Sequence, residues 1–257
     1  TFSGTFSEVP VEAPVYSMQV TTYAAEDVQA AAQRVGLEGE VQTLGNDTFV
    51  VEDDTGSLYV TPGRMQYLSS EEAPEGDLPA DDQAIASARE WLRTHGMLPA
   101  NVNDGAIMAR IESPGRVVVN FQPVSPAPLI SVTPNVTVTV GSEGAIIEAT
   151  HNWAEIVAGD VYQLRGAEAA WTEVESRRAW LDASLPTDVF EPGSTIGGSV
   201  EYTRVSIAYT TSGIPGEQQY LQPVYVFSGE LTPDGSEERY PVRAFVPALI
   251  NSNQPVG

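Results

Sequence analysis

The feature that most constrains the fold is a recurring alternation of apolar and polar residues. It appears in "RVVVNFQPV" (116–124), "NVTVTV" (135–140) and "QYLQPVYVFSG" (219–229). Alternation puts every second side chain on the same face of a β-strand, so these segments predict strands with one buried face. Turn sequences follow several predicted strands, namely Asp-Asp-Thr-Gly at 53–56, Ser-Glu-Gly at 142–144 and Pro-Asp-Gly at 233–235. The pattern therefore predicts antiparallel hairpins.

Three segments have helical periodicity, and each comes before a group of predicted strands. They are residues 23–37, 79–98 and 166–186. Gly36 is suited to end the first helix. The second begins with Pro79 and two aspartates, which favour a helix N-terminus, and Gly96 is suited to end it. We therefore predict an α+β fold of repeated helix-plus-antiparallel-sheet units, with the helices packed on one face of the sheets.

The acidic, proline-containing segment "SSEEAPEGDLPADD" (69–82) has the composition of a surface linker. It predicts a boundary after an N-terminal helix-hairpin unit with a leading strand, residues 1–68. Two further helix-plus-sheet units are predicted at 83–160 and 161–257. A chain of 257 residues is long enough to bury a core in one large domain or in two or three small ones.

The charge balance limits the kinds of partner. There are 35 acidic residues and 12 basic ones, all arginine, which gives a net charge of −23. Such a chain repels phosphate backbones and anionic lipid headgroups, so we expect no nucleic-acid binding and no direct membrane insertion. No apolar run approaches the roughly 20 residues that a membrane-spanning helix requires. A cationic protein surface or a divalent ion would suit the excess of carboxylates.

No assembled catalytic motif appears in the chain. Cysteine is absent, which removes thiol nucleophiles, disulfides and cysteine-based metal sites, and the lack of lysine excludes a phosphate-binding P-loop. No Gly-x-Ser-x-Gly nucleophile elbow is present. The two histidines, His95 and His151, have no partner motif, and 35 acidic residues make chance carboxylate pairs unavoidable. We predict a non-enzymatic protein with no catalytic residues, and a carboxylate-dependent hydrolase is the alternative.

Acidic turns are the feature that suggests a metal. Asp53 and Asp54 in "EDDTG" and Asp234 in "TPDGSEE" offer the oxygen ligands that calcium prefers. Neither segment has the ligand spacing of the twelve-residue EF-hand loop. Hairpin turns explain both segments without a metal. We therefore expect no cofactor, with calcium as the alternative and these three aspartates as its candidate ligands.

Aromatic residues on or beside predicted strands are the candidates for a binding surface. Tyr225 and Phe227 share one face of a strand, and His151 and Trp153 lie at the end of another. Aromatic residues on antiparallel strands usually form cross-strand pairs and core. If one sheet face were uncovered, they would instead form a platform for a peptide or for a second copy of the chain. A structural role is the alternative for His151.

The ends of two predicted units resemble a known family. The segments are "NVTVTVGSEGAIIEATHNW" (135–153) and "QYLQPVYVFSGELTPDGSEERYPVRAFVPAL" (219–249). They resemble PepSY-like domains and the extracytoplasmic portions of the YycH/YycI group of membrane-tethered regulators. The resemblance covers about residues 80–250, with 16–68 as a degenerate unit, and lacks a clear "D-x-x-T-G" ending. It implies a regulator or inhibitor that contacts a sensor kinase or a peptidase outside the cytoplasmic membrane.

These observations predict a non-enzymatic extracytoplasmic module that acts by protein–protein contact. The opening "TFSGTFSEVPVEAP" is rich in threonine, serine and proline, like segments that follow a membrane anchor or a lipoprotein tether. We therefore expect an anchored ectodomain whose partner is a protein of the sensor or peptidase type. The alternatives are an envelope hydrolase and a self-associating surface or filament subunit, in which residues 1–20 add as a strand to a neighbouring copy.

Overall fold

The fold is built mainly from β-strands. The computed structural model describes residues 1–6, 9–71, 73–130, 133–183, 185–186, 190, 195–212 and 219–250. Within that part of the chain, strands account for 50% of the structure and three helices for 16%. The strands form an eight-stranded and a six-stranded sheet. By its internal contacts the chain divides into two compact units, one of Met18–Ile156 and the other of Thr1–Ser17 with Val157–Gly257.

The elements have the following bounds. The helices are α1 (Ala25–Arg34), α2 (Asp81–Thr94) and α3 (Ala167–Glu175). The strands are β1 (Glu12–Val20), β2 (Gln42–Gly45), β3 (Thr48–Asp53), β4 (Gly56–Thr61), β5 (Arg64–Ser69), β6 (Ala106–Glu112), β7 (Gly115–Phe121), β8 (Asn135–Val140), β9 (Ile146–Asn152), β10 (Ala154–Gln163), β11 (Trp180–Ala183), β12 (Gly198–Ser212), β13 (Gln219–Pro233) and β14 (Tyr240–Pro247). A short 3₁₀ turn at Ser142–Gly144 separates β8 from β9. None of the described helices is long and apolar enough to cross a membrane.

The eight-stranded sheet has the order β2-β3-β4-β5-β9-β8-β7-β6, and one of its faces is apolar. One row of register partners crosses seven strands: Val51, Leu58, Tyr67, Ala149, Val138, Val119 and Ile107. The neighbouring row on the same face consists of Phe49, Val60, Met65, His151, Val136 and Phe121. Because side chains alternate between the two faces of a strand, the alternation in the sequence becomes one continuous apolar face.

Helices α1 and α2 contribute small and aliphatic side chains to the cores on the apolar face. The buried helical residues are Val28, Ala31 and Ala32 of α1 and Ala84, Ala88 and Leu92 of α2. They cluster with the buried valines, leucines and phenylalanines of the sheet. Each helix is followed by a glycine with positive φ, Gly36 at 88° and Gly96 at 67°, a conformation that glycine adopts without strain. The predicted helix ends at these two glycines are therefore confirmed.

The opposite face of the same sheet, here named the polar face, carries mostly polar side chains. One row of register partners consists of Val50, Tyr59, Gln66, Thr150, Thr137 and Asn120. The next row consists of Glu52, Ser57, Leu68, Glu148, Thr139 and Val118. All of these residues except Val50 are half-buried or exposed. The sheet therefore separates a core from a face that is partly exposed.

The six-stranded sheet has the order β10-β1-β13-β14-β11, and β12 also pairs with β13. The β12–β13 pairing is antiparallel and extends from Gly198 opposite Pro233 to Ser212 opposite Tyr220. Helix α3 places Ala167 and Ala170 in the core of this sheet. The long central strand β13 thus contributes both to the sheet and to the core of this unit.

The predicted fold of repeated helix-plus-sheet units is wrong. Strands β2 to β5 belong to the first predicted unit and β6 to β9 to the second, yet all eight form one sheet, joined where β5 pairs with β9. The three described helices are minor elements beside two large antiparallel sheets. The physical reason is that an unpaired strand edge leaves backbone groups without partners, and β5 and β9 satisfy each other across a long sequence separation.

Helix α3 is shorter than the predicted helix at 166–186. It ends at Glu175, and Arg177 adopts a left-handed φ of 57° that turns the chain out of the helix. Residues Trp180–Ala183 then form β11, which pairs with β14. Leu181, which the periodicity placed in the helix, is an exposed residue of this edge strand.

Candidate functional site

Two large apolar side chains are exposed on the polar face. Tyr59 on β4 is 43% exposed, and Leu68 on β5 is 41% exposed. Tyr59 pairs with Gln66, which is two residues from Leu68, so the two side chains are diagonal neighbours on one face. Together with Arg64, Gln66 and Glu148, they form a surface that we name the Tyr59 patch.

Hydrogen bonds order the polar part of the Tyr59 patch. Gln66 Nε2 donates to Glu148 Oε1 at 2.7 Å, and Arg64 Nη2 donates to Gln66 Oε1 at 2.9 Å. Thr150 Oγ1 donates to the same oxygen of Glu148 at 3.3 Å. Side chains that are already held in place lose less conformational freedom on binding. The patch therefore combines an ordered polar frame with an exposed aromatic group and an exposed aliphatic group.

A hollow of about 650 Å³ lies beside the 3₁₀ turn and brings several carboxylates to one place. Glu71, Glu75, Asp77 and Glu112 line it, together with Arg116. The rest of the described lining is aliphatic or small and includes no aromatic residue. The aromatic lining expected for a carboxylate-dependent hydrolase is missing from the described residues of this hollow.

The structure places His151 and Trp153 on the apolar face. His151 lies between Met65 and Val136 in a row of otherwise apolar register partners. Its Nδ1 is buried and has no hydrogen-bond partner among the described residues, and burial lowers the pKa of the imidazole from 6.5 to about 4. The rings of His151 and Trp153 have centroids 6.3 Å apart, and Trp153 packs on the core that includes α2. The prediction of a binding surface at these two residues is therefore corrected, because the alternation of β9 directs His151 inward.

Tyr225 and Phe227 are core residues as well. They are 1% and 0% exposed, and their ring centroids lie 6.5 Å apart. The hydroxyl of Tyr225 donates to the backbone oxygen of Arg165 at 2.5 Å, and burial raises the pKa of this phenol. Both aromatic residues therefore belong to the core and do not form a binding platform. Their prediction as surface residues is corrected, because this face of β13 is covered.

Asp53 organises the turn between β3 and β4. Its Oδ1 accepts hydrogen bonds from the Thr55 hydroxyl at 2.6 Å, the Thr55 amide at 2.8 Å and the Gly56 amide at 3.2 Å. Its Oδ2 accepts from the amide of Glu38 at 2.6 Å. These hydrogen bonds lower the pKa of the carboxyl from 3.8 to about 2, and the bond from the Thr55 hydroxyl has the largest effect. A calcium ion at Asp53 would have to compete with all four donors.

The three candidate calcium ligands do not come from one turn. Asp53 ends β3 and Asp54 lies in the β3–β4 turn of one unit, whereas Asp234 is in the β13–β14 turn of the other unit. Among the residues whose positions are described, no group of three or more acidic or histidine side chains could hold a metal ion. Calcium binding remains a prediction, and Asp53 and Asp54 have the structural role of a hairpin turn.

Replacing Asp53 by alanine should lower the denaturant midpoint of the protein, because four donors lose their acceptor. Asp53→Asn keeps one acceptor oxygen and should therefore lower the denaturant midpoint less than Asp53→Ala does. The pKa of the folded carboxyl is below its unfolded value, so its stabilising effect is complete above about pH 4 and is lost as the pH falls towards 2. Chemical denaturation as a function of pH measures both effects, and Asp54→Asn is the matched control. A midpoint for Asp53→Ala equal to that of Asp54→Asn would contradict the role assigned to Asp53.

Tyr59 and Leu68 are not among the residues predicted from the sequence, although the sequence contains a signal for them. In "GSLYVT" (56–61) the apolar residues Leu58 and Val60 define the buried phase of β4, and Tyr59 has the opposite phase. An aromatic residue that alternates with the buried residues of a strand points to the solvent side. It is therefore a better indicator of a surface site than an aromatic residue on the buried side.

Comparisons with known proteins show the fold but no family. No family model matches the chain, and no curated protein matches its sequence. Ten chains of known structure match it. One is an uncharacterised protein from Eubacterium rectale ATCC 33656, with a TM-score of 0.51 and 8% identity over 98% of this chain and 90% of that chain. This likeness shows a shared fold and nothing about activity.

The Bacillus megaterium YpeB C-terminal domain is a more distant structural match. Its TM-score is 0.40 at 13% identity, and the alignment covers 91% of this chain and 100% of that domain. The chain is thus weakly similar in structure to this domain. Because the likeness is weak, membership in the PepSY-like families stays a prediction.

Proposed function

We propose that this chain is a non-enzymatic, extracytoplasmic module that binds a partner protein through the Tyr59 patch. The observation that carries the proposal is the exposure of Tyr59 and Leu68 side by side on an ordered, mostly polar sheet face. Tyrosine and arginine are enriched where proteins bind each other, and both are present in the patch. The flat face of an antiparallel sheet offers a broad surface rather than a pocket.

The charge of the chain supports a partner with a basic surface. A net charge of −23 attracts cationic surfaces over a distance of about 10 Å at moderate ionic strength and accelerates the encounter. Glu148 and Glu52 contribute acidic groups to the polar face itself. The resemblance to PepSY-like and YycH/YycI regulators supports a partner of the sensor or peptidase type and an extracytoplasmic location.

Site-specific photocrosslinking tests the proposal. A photoreactive phenylalanine analogue at position 59 should crosslink a defined envelope protein, whereas the same group at Met108 should not. Met108 is the matched control because it is an exposed apolar residue of β6 in the same unit. For the protein identified in this way, Tyr59→Ala with Leu68→Ala should weaken binding at least about tenfold, because each central apolar contact typically contributes about 1–2 kcal/mol.

Two results would overturn the proposal. One is an affinity of the double variant equal to that of the wild type for a partner that crosslinks at position 59. The other is turnover of an envelope polymer that Glu112→Gln abolishes, which would favour the carboxylate-dependent hydrolase at the acidic hollow. Glu112 is the informative residue because it lines that hollow and does not belong to the Tyr59 patch.

A further inference from the structure

The acidic hollow beside the 3₁₀ turn lies within one unit of the structure, Met18–Ile156. Its walls come from the connection between β5 and α2, from the β6–β7 hairpin, and from the 3₁₀ turn with the start of β9. The connection between β5 and α2 belongs to the acidic segment at 69–82, which the Tyr59 patch leaves without a role. The acidic residues of this segment therefore meet two hairpins of the same sheet around a space of about 650 Å³.

Direct contacts hold the walls of the acidic hollow in place. A Cβ atom added at Gly141 would lie 2.7 Å from the Cβ atom of Ala73, so the chain at position 73 packs closely against the 3₁₀ turn. The amide of Glu143 in that turn donates to the backbone oxygen of Asp77 at 3.3 Å. Because the walls already contact each other, the hollow exists before a ligand enters it, and little conformational freedom is lost on binding.

Carboxylates without ion pairs in the described part of the chain line the acidic hollow. They are Glu71, Glu75, Asp77 and Glu112. The ion pairs among the described residues involve other carboxylates, and Arg116 is the one cationic side chain in the described lining. Four carboxylates against one guanidinium leave an excess of three negative charges around the hollow. Such an excess attracts a cationic ligand.

Ser142 is an independent indication of a ligand in the acidic hollow. It is only 9% exposed and lines the hollow, and its hydroxyl has no hydrogen-bond partner among the described residues. In the same part of the chain, His151 Nδ1 is the one side-chain atom that is both fully enclosed and unpaired, so the Ser142 hydroxyl keeps an opening to the hollow. A buried hydroxyl without a partner costs free energy, and a donor that enters the hollow removes this cost.

The arrangement of these acceptors suits an organic ammonium group better than a metal ion. No group of three or more acidic or histidine side chains among the described residues could hold a metal ion. A metal ion needs several ligands at one point, whereas an ammonium group donates up to three hydrogen bonds to separate acceptors. The remaining lining is largely aliphatic and includes Leu78, Pro114 and Ile147. Methylene groups that carry an ammonium pack favourably on such a surface.

We propose that the acidic hollow binds a primary ammonium group on a chain of methylene groups, the chemistry that a lysine side chain and a free polyamine share. The ammonium group donates hydrogen bonds to the Ser142 hydroxyl and to carboxylates of the walls, and the methylene chain lies against Leu78 and Ile147. A guanidinium group fits this lining less well, because its planar fork suits one bidentate carboxylate. The inference concerns a different surface from the Tyr59 patch and does not depend on it.

Titration of the isotope-labelled protein with cadaverine, a linear diamine, tests the site by NMR. Amide resonances of the 3₁₀ turn and of the β6–β7 hairpin should shift, and NaCl should weaken the binding. Ser142→Ala should weaken it about threefold without lowering the denaturant midpoint, because the variant removes an acceptor that has no partner in the free protein. Asp77→Asn with Glu112→Gln should weaken it about tenfold. Glu26→Gln with Glu40→Gln, two exposed carboxylates of the same unit, is the matched control and should bind cadaverine like the wild type.

A capped dilysine peptide, which carries the same charge as cadaverine, is titrated in parallel to identify the source of the ammonium group. Tighter binding of the peptide supports a lysine of a partner protein, and tighter binding of cadaverine supports a free polyamine. The proposal fails if neither ligand shifts these resonances, or if Ser142→Ala binds cadaverine like the wild type. It also fails if the control pair weakens binding as much as the hollow pair, which would show a response to net charge alone, or if MgCl₂ at constant ionic strength displaces cadaverine, which would indicate a metal site.

Discussion

Replacing Phe227 by alanine should destabilise the unit that contains the six-stranded sheet by about 3–5 kcal/mol. The side chain is fully buried and lies 5.4 Å from the ring of Trp171 and 6.5 Å from that of Tyr225. Removing the phenyl ring loses the favourable free energy of its transfer from water into the core. It also leaves a cavity that the surrounding strands cannot fully close. Urea unfolding followed by tryptophan fluorescence measures the loss, because Trp171 is an adjacent reporter.

Glu230→Ala on the same strand is the matched control for Phe227→Ala. Glu230 is exposed and forms an ion pair with Arg239 at 3.1 Å. Exposed ion pairs contribute between about 0 and 1 kcal/mol, so this variant should unfold close to the wild type. Equal midpoints for Phe227→Ala and Glu230→Ala would show that β13 does not form the core described for this unit.

The stability of the protein should fall as the pH is lowered from 6.5 to 4 because desolvation of the half-buried His151 favours its neutral form. The folded imidazole has a pKa of about 4, whereas the unfolded chain protonates it near 6.5 and therefore binds more protons in this range. The contribution of the neutral side chain is complete above pH 6.5 and is lost progressively towards pH 4. Since each pKa unit corresponds to about 1.4 kcal/mol, the loss at pH 4 is about 3 kcal/mol.

His151→Leu isolates this effect. Leucine suits a row formed by Met65 and Val136, and the Nδ1 atom that it removes has no hydrogen-bond partner among the described residues. Protonation of the carboxylates affects the wild type and the variant alike, so the difference between their unfolding free energies reports His151. That difference should favour the variant increasingly as the pH falls from 6.5 to 4. Parallel pH profiles would show that His151 is not desolvated.

Local patterns in the sequence were sufficient to predict many of the strands and hairpin turns and the ends of α1 and α2, but not the end of α3 or strand β11. The alternation in "NVTVTV" corresponds to β8 with Val136, Val138 and Val140 fully buried, and Asp-Asp-Thr-Gly corresponds to the β3–β4 turn. Gly36 follows α1 in the conformation that the pattern requires. These features are predictable because backbone conformation and the phase of a strand depend on residues that are close in sequence.

The candidate sites were not predictable in the same way. Sequence patterns identified Tyr225, Phe227 and His151 as aromatic or titratable residues on strands, but the pattern does not say which face of a strand another layer covers. All three belong to buried rows, whereas the exposed residues Tyr59 and Leu68 lie on the face that remains polar. Binding surfaces are defined by what stays uncovered after packing, so they depend on the whole sheet.

The sequence by itself determined most of the strands of the eight-stranded sheet, the positions of α1 and α2, and the acidic, cysteine-free chemistry of the chain. Only the tertiary structure decided that β5 pairs with β9, which merges two predicted units into one sheet, and that the segment from Phe2 to Phe6 covers the edge of β12. The physical reason is the range of the interactions involved. Strand conformation is set by neighbours in the chain, whereas strand pairing is set by backbone groups that find partners anywhere a compatible edge and register exist.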